Sequence, residues 1–215
     1  MTTKKIAALV LAAVMLVGAS IAGTLAWLTA STNEVTNTFS PSSIGIELKE
    51  SPLKTGSTNT LDKKAADDNN WSSRVTSEDG YQMVPGFDLQ KDPAVMVKAE
   101  SEACFVFVKI EAENNGTAAK PYLTYEIGSD WEAVAGETGV YVYKDVIEKS
   151  DDNQYLKEIL ADDKVTVNSA LTADDMAAAD GNEPELVLTA YATQAYKNNT
   201  DKFTVAEAWA NASAQ

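Results

Sequence analysis

The sequence predicts an all-β protein. The expected architecture is an antiparallel two-sheet sandwich, jelly-roll-like, with short helices in connections and at the C-terminus. Three observations predict it. Apolar and polar residues alternate in eight or nine short stretches, the period of half-buried strands. Turn residues separate those stretches at irregular spacing. No strand–helix–strand alternation of the kind that builds a parallel sheet is present.

Residues 1–26 precede the first strand. Lys4 and Lys5 are followed by an unbroken apolar run, Ile6 to Val17, and then by small residues ending in Thr24-Leu25-Ala26. That order is expected of a secretory signal peptide cut between Ala26 and Trp27. The competing reading is an uncleaved anchor, since Ile6 to Leu28 is long enough to span a bilayer. Residues 27–215 are then expected to form a single β-sandwich domain. Its first strand, Val35 to Phe39, places Val35, Asn37 and Phe39 on one side, with Trp27 and Leu28 upstream.

Pro41-Ser42-Ser43 is the turn into a second strand, Ile44 to Leu48. Residues 50–80 are polar, with Trp71 as their one large apolar residue, and are expected to be a long surface loop. Tyr81 to Val84 reads as a strand stopped by Pro85-Gly86. Ala94 to Ala99 follows. Phe105 to Glu113 gives the strongest strand signal, with Val106, Val108 and Ile110 on the core face and Phe105 and Phe107 half covered outside. Tyr122 to Ile127 and Val140 to Ile147 are further strands. Asp152 to Leu160 reads as a short amphipathic helix, and Val165 to Val167 as a strand. Thr172 is an N-cap for a short helix ending near Ala179. Glu185 to Ala195 is a long strand. The capping box Thr204 to Glu207 opens a C-terminal helix docked by Val205 and Trp209.

Composition narrows the function. The 215 residues hold 17 Lys+Arg against 32 Asp+Glu, a net charge of −15. Removing residues 1–26 leaves 15 cations against 32 acids, a net −17. Such a surface repels phosphate, so a nucleic-acid partner is not expected. The chain has no histidine and one cysteine. The Ser-His-Asp triad, the Cys-His dyad and the zinc-protease helix all lack their central residue. No catalytic residue, no cofactor and no metal ligand is assigned, and an enzyme is not expected.

Weaker candidates have bland alternatives. The acidic pairs Asp67-Asp68, Asp151-Asp152, Asp162-Asp163 and Asp174-Asp175 lack the order of a calcium-binding loop and read as solvated surface. Cys104, flanked by Glu100 and Glu102, reads as a partly buried strand residue and not as a reactive thiol. Trp71, Trp131, Tyr141 and Tyr143 are candidates for a sugar-binding platform, against ordinary packing.

Three stretches together resemble a known family. These are Gly23 to Thr29 with Val35 to Phe39, then Val84-Pro85-Gly86 with Lys91 to Val95 and Phe105 to Ile110, and finally Leu188 to Ala195 with Ala206 to Trp209. They resemble the SipW-dependent secreted proteins of Gram-positive bacteria, the family that includes TasA and camelysin. The resemblance implies a jelly-roll domain, exported and trimmed by a dedicated signal peptidase. It implies an extracellular place at the cell surface or in the biofilm matrix. The partners it implies are other copies of the chain in a fibre, or other matrix and surface proteins, with membrane contact only through the uncleaved signal peptide. Members that polymerise donate an N-terminal strand, a role that would fall on Trp27, Leu28, Val35, Asn37 and Phe39. The alternative expectation is a monomeric secreted binding module or fibre accessory, with a secreted hydrolase as the weakest reading.

Overall fold

Alternating side chains and frequent turn residues produce short strands joined antiparallel throughout. A computed structural model describes Thr3, residues 42–63 and residues 68–214. The strands are β1 (Ile46–Lys49), β2 (Asp88–Gln90), β3 (Ala94–Val97), β4 (Cys104–Glu113), β5 (Gly116–Thr117) and β6 (Lys120–Pro121). They continue as β7 (Leu123–Thr124), β8 (Trp131–Ala133), β9 (Val140–Tyr143), β10 (Gln154–Leu156) and β11 (Lys164–Val167). Helix α1 (Ala173–Ala179) connects to β12 (Glu185–Gln194), and helix α2 (Val205–Ala212) follows. The expected signal peptide, its cleavage point at Ala26 and Trp27, and the arm residues Leu28, Val35, Asn37 and Phe39 lie outside the described residues.

The strands form a four-stranded sheet, β12-β4-β9-β8, two three-stranded sheets, β1-β3-β10 and β2-β11-β7, and the β5-β6 hairpin. β4 and β12, ten residues each, are the longest members and pair over their whole length, from Cys104 opposite Gln194 to Glu113 opposite Glu185. The inward side chains of β4, Val106, Val108 and Ile110, meet Val95 and Val97 of β3 in the main core. Burying these aliphatic groups is worth about 1.5–3 kcal/mol each relative to exposure.

The outer face of the same sheet is also dry. Phe105 and Phe107 are 6% and 0% exposed. They join Val140 and Val142 in a second core closed by Ala208, Trp209 and Ala212 of α2. The half-covered outer face that alternation predicts is therefore fully covered. Trp209 stacks 5.4 Å from Phe107 and 5.2 Å from Tyr191, edge-on to the latter. Thr204 and Glu207 complete the capping box, and Lys197 ties down Glu207 at 2.6 Å. Val205, expected to dock the helix, is 37% exposed. Ala208 and Ala212 take that role with Trp209, because they lie one turn apart on its face.

Two other expectations fail locally. Asp152 to Leu160 is not a helix. Gln154–Leu156 pairs with β3 instead, giving that buried strand ladder partners on both sides and satisfying its backbone. Glu158 then turns with φ +51°, a left-handed conformation that no α-helix accepts. Tyr81 to Val84 is not a strand either. The ladder begins after the Pro85-Gly86 turn, at Asp88, and Tyr81 instead donates its hydroxyl to the Gln90 carbonyl at 2.9 Å.

The polar stretch 50–80 is pinned at several points. Glu50 bridges to Val75 and Leu53 to Leu61. Ser51 and Arg74 are buried. Ser51 donates its backbone N–H and its hydroxyl to Asp92, at 2.8 and 2.6 Å, and Arg74 pairs with the same carboxylate at 3.3 Å. Trp71 is buried against Ala94, Met96 and Tyr155, and its indole N–H donates to Glu47 at 2.9 Å. Lys98 and Lys49 also reach Glu47, at 2.8 and 3.1 Å. A loop this polar stays on the surface, but its ends are fastened by charge-assisted hydrogen bonds.

Two expected outcomes follow from this packing. Trp209→Ala should cost about 3–5 kcal/mol of unfolding free energy in urea, because the second core has no other large side chain from α2. Glu47 should make stability acid-sensitive. Lys98, Trp71 and Lys49 hold its carboxyl at about 2, below an ordinary 4.5. A depressed folded-state pKa contributes stability above pH 4.5 and loses it as pH falls from about 4.5 to about 2. Urea midpoints across that window should fall less steeply in Glu47→Gln than in the parent.

Candidate functional site

The most distinctive feature is an edge. β12 carries ten residues, so its rim is about 34 Å long. Among the described residues its only ladder is the one with β4. From Leu186 to Ala192 it reads LVLTAYA, with no charge and no proline. Soluble proteins blunt such rims with lysine, proline or bulges, and none interrupts this run.

β1 is the matching edge of the opposite sheet and lies against β12. The inward side chains of both strands face the main core, yet Ile46, Leu48, Leu186, Leu188, Ala190 and Ala192 are only half-buried. Their neighbours one strand further in, Val95, Val97, Val106 and Val108, are 0–1% exposed. The core is thus least covered along the line where these two edges meet. At the Gln194 end the line opens into a shallow cleft of about 390 Å³ lined by Ile44, Ala192, Thr193, Gln194 and Asn211. An edge of this kind supplies main-chain donors and acceptors to an added strand, and a half-open core supplies the apolar contacts.

The remaining sequence candidates scatter. Trp71 and Trp131 are buried, at 8% and 4% exposure, and form no surface platform. Tyr141 and Tyr143 are half-buried on the inner face of β9. Asp163 pairs with Lys63 at 2.8 Å. Asp175 accepts from Thr172 in the capping box of α1 and pairs with Lys120; these contacts hold its carboxyl well below the usual range. Among the described residues no group of three or more His, Cys, Asp or Glu converges to hold a metal. No described helix is long and apolar enough to cross a membrane. Nothing in the sequence singles out the β12 edge. Its one signal was the uncharged run in β12, which alternation alone reads as an ordinary strand.

Cys104 is fully buried at the start of β4. Burial pushes its thiol up to about 11; desolvation is the cause, not the neighbouring Glu100 and Glu102. A thiol held neutral and covered is a poor nucleophile. Ellman's reagent at pH 8 should label none of the native protein within minutes and one thiol per chain after denaturation.

Comparison with protein-family models, with curated proteins and with solved structures finds no match to this chain.

Proposed function

We propose that this chain is a secreted structural protein of the cell surface or biofilm matrix, and that its copies join by strand donation. In this reading the β12-β4-β9-β8 and β1-β3-β10 sheets are the two layers of a jelly-roll-like sandwich. The segment from Trp27 to Phe39, exposed at its start by cleavage after Ala26, adds as a strand to the β12 edge of a second copy. The observation that carries the reading is that edge: ten residues long, uncharged from Leu186 to Ala192, and bordering the least covered part of the core. The alternating segment Val35 to Phe39 supplies a donor of the right period. The resemblance to SipW-dependent secreted proteins supports export and the matrix role. A structural role also suits a chain without histidine.

Donation between copies repeats head to tail without closing, so the product is a filament. If the arm instead lies on its own edge, the protein is a monomer and acts as a binding module. Sedimentation velocity separates the two. The mature chain should form concentration-dependent polymers, and deletion of residues 27–34 should abolish them while far-UV and near-UV circular dichroism stay unchanged. Identical sedimentation of the two proteins at high concentration would exclude the donor role.

A further inference from the structure

At the other end of both strand orders lies a second shallow cleft. It has a volume of about 410 Å³ and is lined by Asp130, Tyr143, Tyr155, Lys157 and Glu158, within the range of small-ligand clefts, about 300–1,000 Å³. Its two tyrosines are braced from behind. Tyr143 meets the buried Trp131 edge-on at 5.3 Å, and Tyr155 lies 5.3 Å from the buried Trp71. The Trp131 indole N–H is itself fixed to the Lys157 carbonyl at 3.2 Å. The rim is equally rigid. Gly128 packs so closely under Glu158 that a Cβ there would sit 1.7 Å from its carbonyl oxygen, and the Gly128 N–H donates to Ile159 at 3.1 Å.

Among the described residues neither the Tyr143 nor the Tyr155 hydroxyl has a hydrogen-bond partner, and neither Asp130, which accepts from the Ser129 hydroxyl at 3.4 Å, nor Glu158 is in an ion pair. Elsewhere in the fold some acids are paired, as Glu47, Glu50, Asp88, Asp92, Asp163, Asp175 and Glu207 illustrate, and others, such as Glu113, Glu132 and Asp151, are outside any ion pair as the cleft acids are. Lys157 carries an interaction of its own. The acidic character reaches the aromatic wall, since burial first, then Asp130 and Asp145, push the Tyr143 phenol up.

Rigid aromatic walls suit the flat face of a pyranose ring, and unpartnered phenols with carboxylates outside ion pairs suit its hydroxyls. Unpaired carboxylates beside aromatic rings also attract an ammonium group. We infer that this cleft binds an amino sugar, a glucosamine-type residue of a polysaccharide, stacked on Tyr143 or Tyr155 with its ammonium toward Asp130 and Glu158. The ligand is chosen over a neutral sugar by the two unpaired acids. It is chosen over an apolar ligand by the polar lining. The inference does not depend on strand donation, because it uses neither β12 nor the N-terminal arm.

Calorimetric titration of the mature chain tests it, with a glucosamine tetramer, its N-acetylated counterpart, a neutral glucan tetramer and tetralysine as probes. The glucosamine tetramer should bind about tenfold more tightly than either other sugar. Tyr143→Ala with Tyr155→Ala, which leaves the charge unchanged, should weaken it by about tenfold or more. Asp130→Asn with Glu158→Gln should level the three sugars. If the alanine pair fails to fold, the Tyr143→Phe, Tyr155→Phe pair decides, through loss of the hydroxyl contacts. The inference is overturned if no sugar binds at millimolar concentration or if the tyrosine variants bind as the parent does. It is also overturned if tetralysine matches the glucosamine tetramer in every variant, which would leave bulk charge as the only attraction.

Discussion

The fold depends on one constraint: β4 is apolar on both faces and must be covered twice. Val106, Val108 and Ile110 require an opposing sheet. Phe105 and Phe107 require a separate lid. The first demand is met by β3, which is buried along its whole length and so needs ladder partners on both sides, β1 and β10. The second is met by α2, held at its start by a capping box and at its middle by Trp209. Most other elements are connections that bring these layers into place.

The polar residues follow the same logic on a net-negative chain with few cations. Seventeen Lys+Arg serve thirty-two acids, and those cations are concentrated where a segment has to be fastened. Arg74 and Lys91 hold the 50–80 stretch to Asp92 and Glu50. Lys49 and Lys98 converge on Glu47, which also anchors Trp71. These are partly shielded, hydrogen-bonded pairs and carry more weight than the exposed Lys149 contacts with Glu100 and Glu102, which solvent screens.

Much of the β framework was legible in the residues. β4, β9 and β12 follow their alternation, and both capping boxes lie where Thr172 and Thr204 place them. Alternation states which side chains share a face, not whether something covers that face. Hence alternation leaves Phe105 and Phe107 half covered, because their cover comes from Ala208, Trp209 and Ala212, far along the sequence. Short apolar runs such as Tyr155 to Leu160 fit a helix or a strand equally well, and only the need of β3 for a second neighbour decides. The anchoring of the loop rests on Ser51 meeting Asp92, a pairing no local pattern encodes. The β12 edge was illegible for a related reason: being an edge is a property of what lies beside a strand, not of the strand.

The pairing of β4 with β12 has a consequence for synthesis. Residues 104–113 are made early and residues 185–194 late, yet each completes the other's ladder along its full length. A chain emerging N-terminus first can pair β4 with β9 on one side, but it leaves the other side of β4 without its ladder until β12 has been made. Long-range closure of this kind is slow. Residues 185–194 thus act as the latch that completes the four-stranded sheet.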